Sequence, residues 1–183
     1  MNSFNWKKES LLWFLMALPL IYLAFVWNSL PETIPTHFNA SGEPDGWGSK
    51  NTLIYISLFF GLGIYFLMTI IPAIDPKKKL ANMGGKYYAL KFIMVLFMSL
   101  LACFITYSAK EEGFGGNMIY ILIGLLFAVL GNYFPSLKHN YFIGIRTPWT
   151  LESETVWKKT HRLGGKLWMA GGILISTLAL LFE

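Results

Sequence analysis

The chain is short of charge, nearly without cysteine and without a recognisable cofactor motif, and each shortage removes a class of protein. Only 14% of its 183 residues are charged, against near 25% in an ordinary soluble domain. With 55% hydrophobic residues and a mean hydropathy of +0.49, a water-soluble globule is excluded. The single cysteine, Cys103, lies inside an apolar run, so no internal disulfide is open to it. It reads as a small buried hydrophobe. No Gly-rich phosphate loop, cysteine pair or dinucleotide fingerprint occurs, and no cofactor is expected.

What the chain has instead is long apolar runs, at 11–30, 53–71, 87–107, 118–134 and 167–182. A helix needs about 20 such residues to cross a hydrocarbon core of about 30 Å. The first run competes with a signal peptide, but it is long enough to span and no small-residue cleavage pattern follows it. The expected fold class is all-α, a polytopic integral membrane helical bundle of about five transmembrane helices.

Basic residues set the orientation. With the N-terminus cytoplasmic, 13 of the 15 lysines and arginines fall inside, and only Lys50 and Lys110 fall outside. That asymmetry obeys the positive-inside rule. The net charge of +5 is dispersed in short clusters between spans, which argues for topology and against direct nucleic-acid binding. Lys77-Lys78-Lys79 reads as an anchor facing anionic lipid, and Lys91 as a residue snorkelling to the same surface. The segment 110–116 reads as a short loop with no chemistry.

Two polar stretches carry the candidate sites. The outer one, 31–51, holds Pro31, Pro35 and Pro44, which exclude a long helix, and the turn signal Glu43-Pro44-Asp45-Gly46. His37, Asp45 and Glu43 are too few for a metal site, so a cap with His37 and Asp45 tying the turn is expected. Asn39-Ala40-Ser41 matches a glycosylation sequon, a signal of little weight. The inner stretch, 131–166, is the one long polar-rich run. Gly144 and Pro148 mark a fixed turn around Arg146, whose guanidinium could pair with Glu152, Glu154 or an outside partner. Thr150 is the expected cap of a short amphipathic interfacial helix ending at Gly164-Gly165, ahead of the last span. On it Glu154, Trp157, Lys158 and His161 share a face.

The segment GNYFPSLKHNYFIGIRTPWTLESETVWKKTHRLGGKLW, Gly131 to Trp168, resembles the signature of the SdpI family of bacterial membrane immunity and signalling proteins. The pattern IPTHFNASGEPDGWGSK in the outer stretch resembles the loop before the second span in many members. The resemblance implies a multi-pass protein of the bacterial cytoplasmic membrane that confers resistance to a secreted peptide toxin. It also implies recruitment of a transcriptional repressor to the membrane. On that analogy His37, Phe38, Asn39, Asp45 and Trp47 would face the peptide. Arg146, Trp149, Trp157, Lys158 and His161 would form the inner partner surface. Asn132, Lys138, Asn140, Thr147 and Glu154 complete the inner binding set. The chain would divide into a membrane hairpin with its outer loop, 1–80, and an SdpI-like domain, 81–183, with a cytoplasmic loop at 135–166.

Two other classes stay open. Asn132, Lys138 and Arg146 could surround an inner cavity for an anionic headgroup, making a small transporter or lipid-binding protein. Glu154 and His161 could form an acid–base pair in a membrane enzyme acting on lipid, although no nucleophile accompanies them and no catalytic residue is assigned.

Overall fold

A computed structural model of the chain describes residues 6–39, 43–76, 78–110 and 117–181. Lys77, the Ala40-Ser41 part of the sequon and the 111–116 loop lie outside the described residues. In chain order the elements are α1 (Trp6–Val26), β1 (Thr33–Phe38), β2 (Pro44–Ser49), α2 (Thr52–Leu58), α3 (Ile64–Ile74), α4 (Gly85–Lys110), α5 (Met118–Tyr133), α6 (Pro148–Glu152) and α7 (Glu154–Leu181).

Among the described residues, five helical segments are long and apolar enough to cross a membrane: Glu9–Ser29, Thr52–Ile74, Gly85–Lys110, Met118–Ser136 and Glu154–Leu181. They match the five expected runs, and the fold is polytopic and helical. Large apolar side chains stand outward, Phe25 at 89% and Leu181 at 69% exposure. That is the arrangement hydrocarbon rewards and water penalises.

The described residues form two compact units. The first is built from residues of Ser3–Phe66 and Met94–Gly116. Its buried cluster joins Leu23, Val26 and Leu30 to Ile34 of β1, Leu53 of α2 and Ala109 of α4. Ile34 thereby pins the hairpin to the helices. Thr52–Ile74 is continuous through a π-helical stretch at Phe59–Gly63, where Gly61 abuts the carbonyl of Met16. Tyr65 links the same helices, accepting from Trp13 Nε1 at 2.9 Å and donating to Glu9 at 2.8 Å.

The second unit comprises residues of Leu67–Ile93 and Asn117–Glu183. Its main contact is α5 against α7. Gly131 lies against the backbone of Met169, Gly165 against the carbonyl of Gly131, and Gly172 against that of Gly124. Small residues let two helix backbones meet, which drives association where lipid removes the hydrophobic incentive. This contact corrects the expected helix end at Gly164-Gly165, since α7 runs unbroken through both glycines. Gly165 is there for close approach, not to cap. The amphipathic stretch is therefore the opening of the last span, and only the five-residue α6 precedes it as a separate helix. Lys91, expected to snorkel, is buried at 6% exposure.

Candidate functional site

The inner loop of the second unit is organised around one side chain. Asn140, 1% exposed, donates from Nδ2 to the carbonyls of Lys138 (2.8 Å) and Ile143 (3.0 Å). Its Oδ1 accepts from the amides of Phe142 and Ile143, both at 2.8 Å. Two donors and two acceptor positions are the full capacity of a carboxamide, so the whole group is spent on closing the turn. Arg146, exposed, donates from Nη1 to the carbonyl of Tyr141 at 2.8 Å and holds the same turn from outside. No ion pair joins Arg146 to Glu152 or Glu154 among the described residues. In place of a pairing with either glutamate, the guanidinium makes one bond to a backbone carbonyl.

Residues 147–161 supply the floor. Thr147, extended at φ −116° and ψ 160°, is the N-cap of α6, and Thr150 completes the capping box from the third helical position. Pro148 at the first helical position explains the shift from the expected Thr150 cap. The residue before a proline is held extended, as a cap must be, and proline fits the first turn. Thr150 is instead buried and donates toward the carbonyls of Ile145 and Thr147.

Trp157 and His161, each 1% exposed, form the centre. Their rings stack at 4.0 Å and 24°. Trp157 Nε1 donates to the carbonyl of Leu137 at 2.9 Å. His161 Nδ1 donates to the carbonyl of Trp157 at 2.9 Å, while its Nε2 accepts the amide of Ile145 at 3.0 Å. Those two bonds require the neutral ring with its proton on Nδ1. Gly144 sits directly over this pair with φ at +119°, and a β-carbon there would strike His161 Nε2 and stand 3.1 and 3.2 Å from the Trp157 ring.

Beside this floor opens a basic cleft of about 500 Å³, lined in part by Lys79, Lys86, Lys138, Lys158, His139 and Glu154. The 78–83 segment is held by Asp75, whose buried carboxylate accepts the Leu80 amide at 2.9 Å, and by the buried Leu80 and Met83. Lys79 then reaches His139 Nδ1 at 3.1 Å and Glu154 at 3.6 Å. Lys138 donates to the carbonyl of Asn82 at 3.1 Å. His139 Nε2 donates to the carbonyl of Leu151 at 2.8 Å, and Tyr133 donates to the carbonyl of Lys86.

The structure thus brings Lys138, Glu154, Trp157 and Lys158 to one cleft and leaves the others apart. Asn132 is exposed on α5, and Trp149 is 63% exposed on α6. Neither they nor Arg146 line the cleft, which takes only Lys138 from the expected Asn132–Lys138–Arg146 set. Asn140, Trp157 and His161 are interior supports rather than an exposed partner surface. Glu154 and His161 make no acid–base pair, because both imidazole nitrogens are committed to backbone. Missed by sequence reasoning were Lys79, Asn82 and Lys86. The lysine run was visible, but nothing local shows which lysine meets a loop about 60 residues later.

In the first unit, 31–51 folds as an antiparallel hairpin with Thr33 opposite Ser49 and Pro35 opposite Trp47. His37 Nδ1 bonds Asp45, which is the tie expected there. Asn39 and Glu43 close the tip through the Asn39 amide to Glu43 carbonyl bond (2.9 Å) and a return bond from the Glu43 amide to Asn39 Oδ1 (2.9 Å). Gly46 and Gly48 lie against the side chains of His37 and Thr36, where a larger residue would collide. Lys50 pairs with Glu32 at 2.8 Å and lies over the Trp27 ring. Trp47 is left 60% exposed, and Phe38 half-buried. Among the described residues no group of three metal-ligating side chains occurs.

Comparison with known proteins places these features. Residues 136–182, the inner loop and α7, match the SdpI/YfhL protein family, and residues 14–62, which hold the hairpin, match a domain of unknown function, DUF1648. The Immunity protein SdpI of Bacillus subtilis is 27% identical over 175 residues, covering 94% of this chain and 82% of that protein. An uncharacterized protein of Archaeoglobus fulgidus is 38% identical over 63 residues, 31% of this chain and 34% of its own length. No solved structure matches the chain. The likeness to the Bacillus subtilis protein thus runs almost end to end, and the match to the SdpI/YfhL protein family falls on the ordered loop itself.

Proposed function

We propose that this multi-pass membrane protein is an immunity protein, conferring resistance to a secreted peptide toxin at the bacterial cytoplasmic membrane. The observation that carries the reading is the extent of the likeness to an immunity protein, 94% of the chain rather than one segment. The hairpin and the inner loop are both inside it. With the N-terminus cytoplasmic, the hairpin faces outward and the inner loop inward, as the distribution of lysine and arginine requires. The residues 1–80 then present the toxin-facing element, and 81–183 the inner one. A repressor recruited to the membrane would meet the inner loop through exposed groups such as Arg146 and Trp149.

On the hairpin, Trp47 offers an exposed ring on a two-stranded frame, opposite Pro35, and Asp45 bonds His37. Aromatic anchors that become buried dominate binding interfaces, and losing one costs about 2 kcal/mol or more, which is more than tenfold in affinity. In a toxin-sensitive host, Trp47→Ala should therefore lower the tolerated toxin dose by about tenfold. Asp45→Ala should lower it less, and both proteins should reach the membrane at normal levels. Equal protection by both variants and the unaltered chain would remove the hairpin from the mechanism. Absence of protection by the unaltered chain would overturn the immunity reading.

A further inference from the structure

The inner cleft is more basic, and more firmly built, than an orientation signal requires. Topology counts lysines near span ends and does not ask that they converge. Here four converge with one glutamate, a formal charge of +3 from four positive groups less one negative, since the two bonds of His139 describe a neutral ring. We infer that the cleft binds a phosphate-bearing anion, the headgroup of an anionic phospholipid drawn from the surrounding leaflet.

Three features support the assignment. First, the lysines divide in two. Lys79 and Lys138 are held by His139, Glu154 and the carbonyl of Asn82. Lys86 and Lys158 make no side-chain hydrogen bond or ion pair with any described residue, so two ammonium groups at the cleft have their donors to spare. Held lysines set the field, and unpaired ones are left to bind. Second, the position suits a lipid. Lys86 is the second residue of α4 and Lys158 the fifth of α7, so both stand within the first turns of apolar, membrane-length helices. Third, the volume of about 500 Å³ lies within the range of small-ligand sites, about 300–1,000 Å³. Lysine serves phosphate as a compact point charge. The assignment needs only a membrane protein with this cleft, and stands or falls apart from immunity.

The test uses the full chain in detergent, titrated with phosphatidylglycerol or phosphatidylcholine and read by native mass spectrometry. In a second arm the protein in phosphatidylcholine nanodiscs is titrated with inorganic phosphate by calorimetry. The unaltered protein should prefer phosphatidylglycerol at least tenfold, and Lys86→Gln with Lys158→Gln should abolish that preference. The pair Lys159→Gln and Lys166→Gln removes equal charge outside the cleft and should leave it intact. Thermal unfolding of both double variants should match the parent, because none of these side chains supports the fold. Phosphate binding that depends on Lys86 and Lys158, without lipid preference, would assign the same chemistry to a free anion. A lipid preference that survives loss of Lys86 and Lys158, or neither ligand binding the parent, would overturn the proposal.

Discussion

Replacing Gly144 by alanine should destabilise the inner loop by about 3–5 kcal/mol, from a left-handed backbone angle and a collision with buried rings. At φ +119° a β-carbon is strained before any neighbour is considered. The neighbours then add to it. The new methyl would displace the His161 ring from the amide of Ile145 and press on Trp157, whose own Nε1 holds the carbonyl of Leu137. None of these groups can yield cheaply, since both side chains are 1% exposed and bonded at their polar atoms. Nor can the preceding residue shift to relieve the strain, because the amide and carbonyl of Ile143 both bind Asn140. Thermal unfolding of the purified chain in detergent should show a markedly lower midpoint. An unchanged midpoint would mean that the loop is not locked as described.

Substitution at Asn140 should be comparably severe, and it distinguishes shape from bonding. Asn140→Ala removes four hydrogen bonds and leaves two amides and two carbonyls to find other partners. At about 1–3 kcal/mol for each buried group left unsatisfied, and with water recovering part, a loss on the order of 4 kcal/mol follows. Asn140→Asp keeps the shape and the acceptor facing Phe142 and Ile143. It turns the other end from a donor into an oxygen aimed at the carbonyls of Lys138 and Ile143, with a charge in a site 1% exposed. Repulsion there should make the aspartate nearly as damaging as alanine. If Asn140→Asp matched the parent in thermal stability, the donor half of the network would have no energetic role.

The parts of the fold legible in the sequence were those that composition and periodicity determine. Five spans follow from apolar length, and the His37–Asp45 tie follows from a turn signal that brings a carboxylate back toward an imidazole. The strands of the hairpin were not legible. Pro35, Pro44, Gly46 and Gly48 are poor strand formers, and only cross-strand packing accounts for them there. Gly164-Gly165 misled for a related reason. A glycine pair at the end of an amphipathic stretch is a stop in water, but here Gly165 meets the backbone of Gly131 and Gly164 lies against Ile145, so both are packing positions inside a span. The inner loop announced itself by polarity, yet its working parts depend on distant residues. Asn140 and His161 were visible as polar groups, while the backbone atoms they satisfy were not. Arg146 invited pairing with a glutamate, and its actual partner, a carbonyl five residues back, is invisible to any side-chain pattern.

The most direct test of immunity is the toxin dose that kills half of a sensitive population lacking its own immunity protein. Cells carrying this chain in the membrane should survive at least tenfold more toxin than cells with an empty vector, the scale expected where one good binding anchor is worth about 2 kcal/mol. Their membrane potential should hold at doses that depolarise the control. Identical killing curves, with the protein shown to be in the membrane at normal levels, would contradict the account.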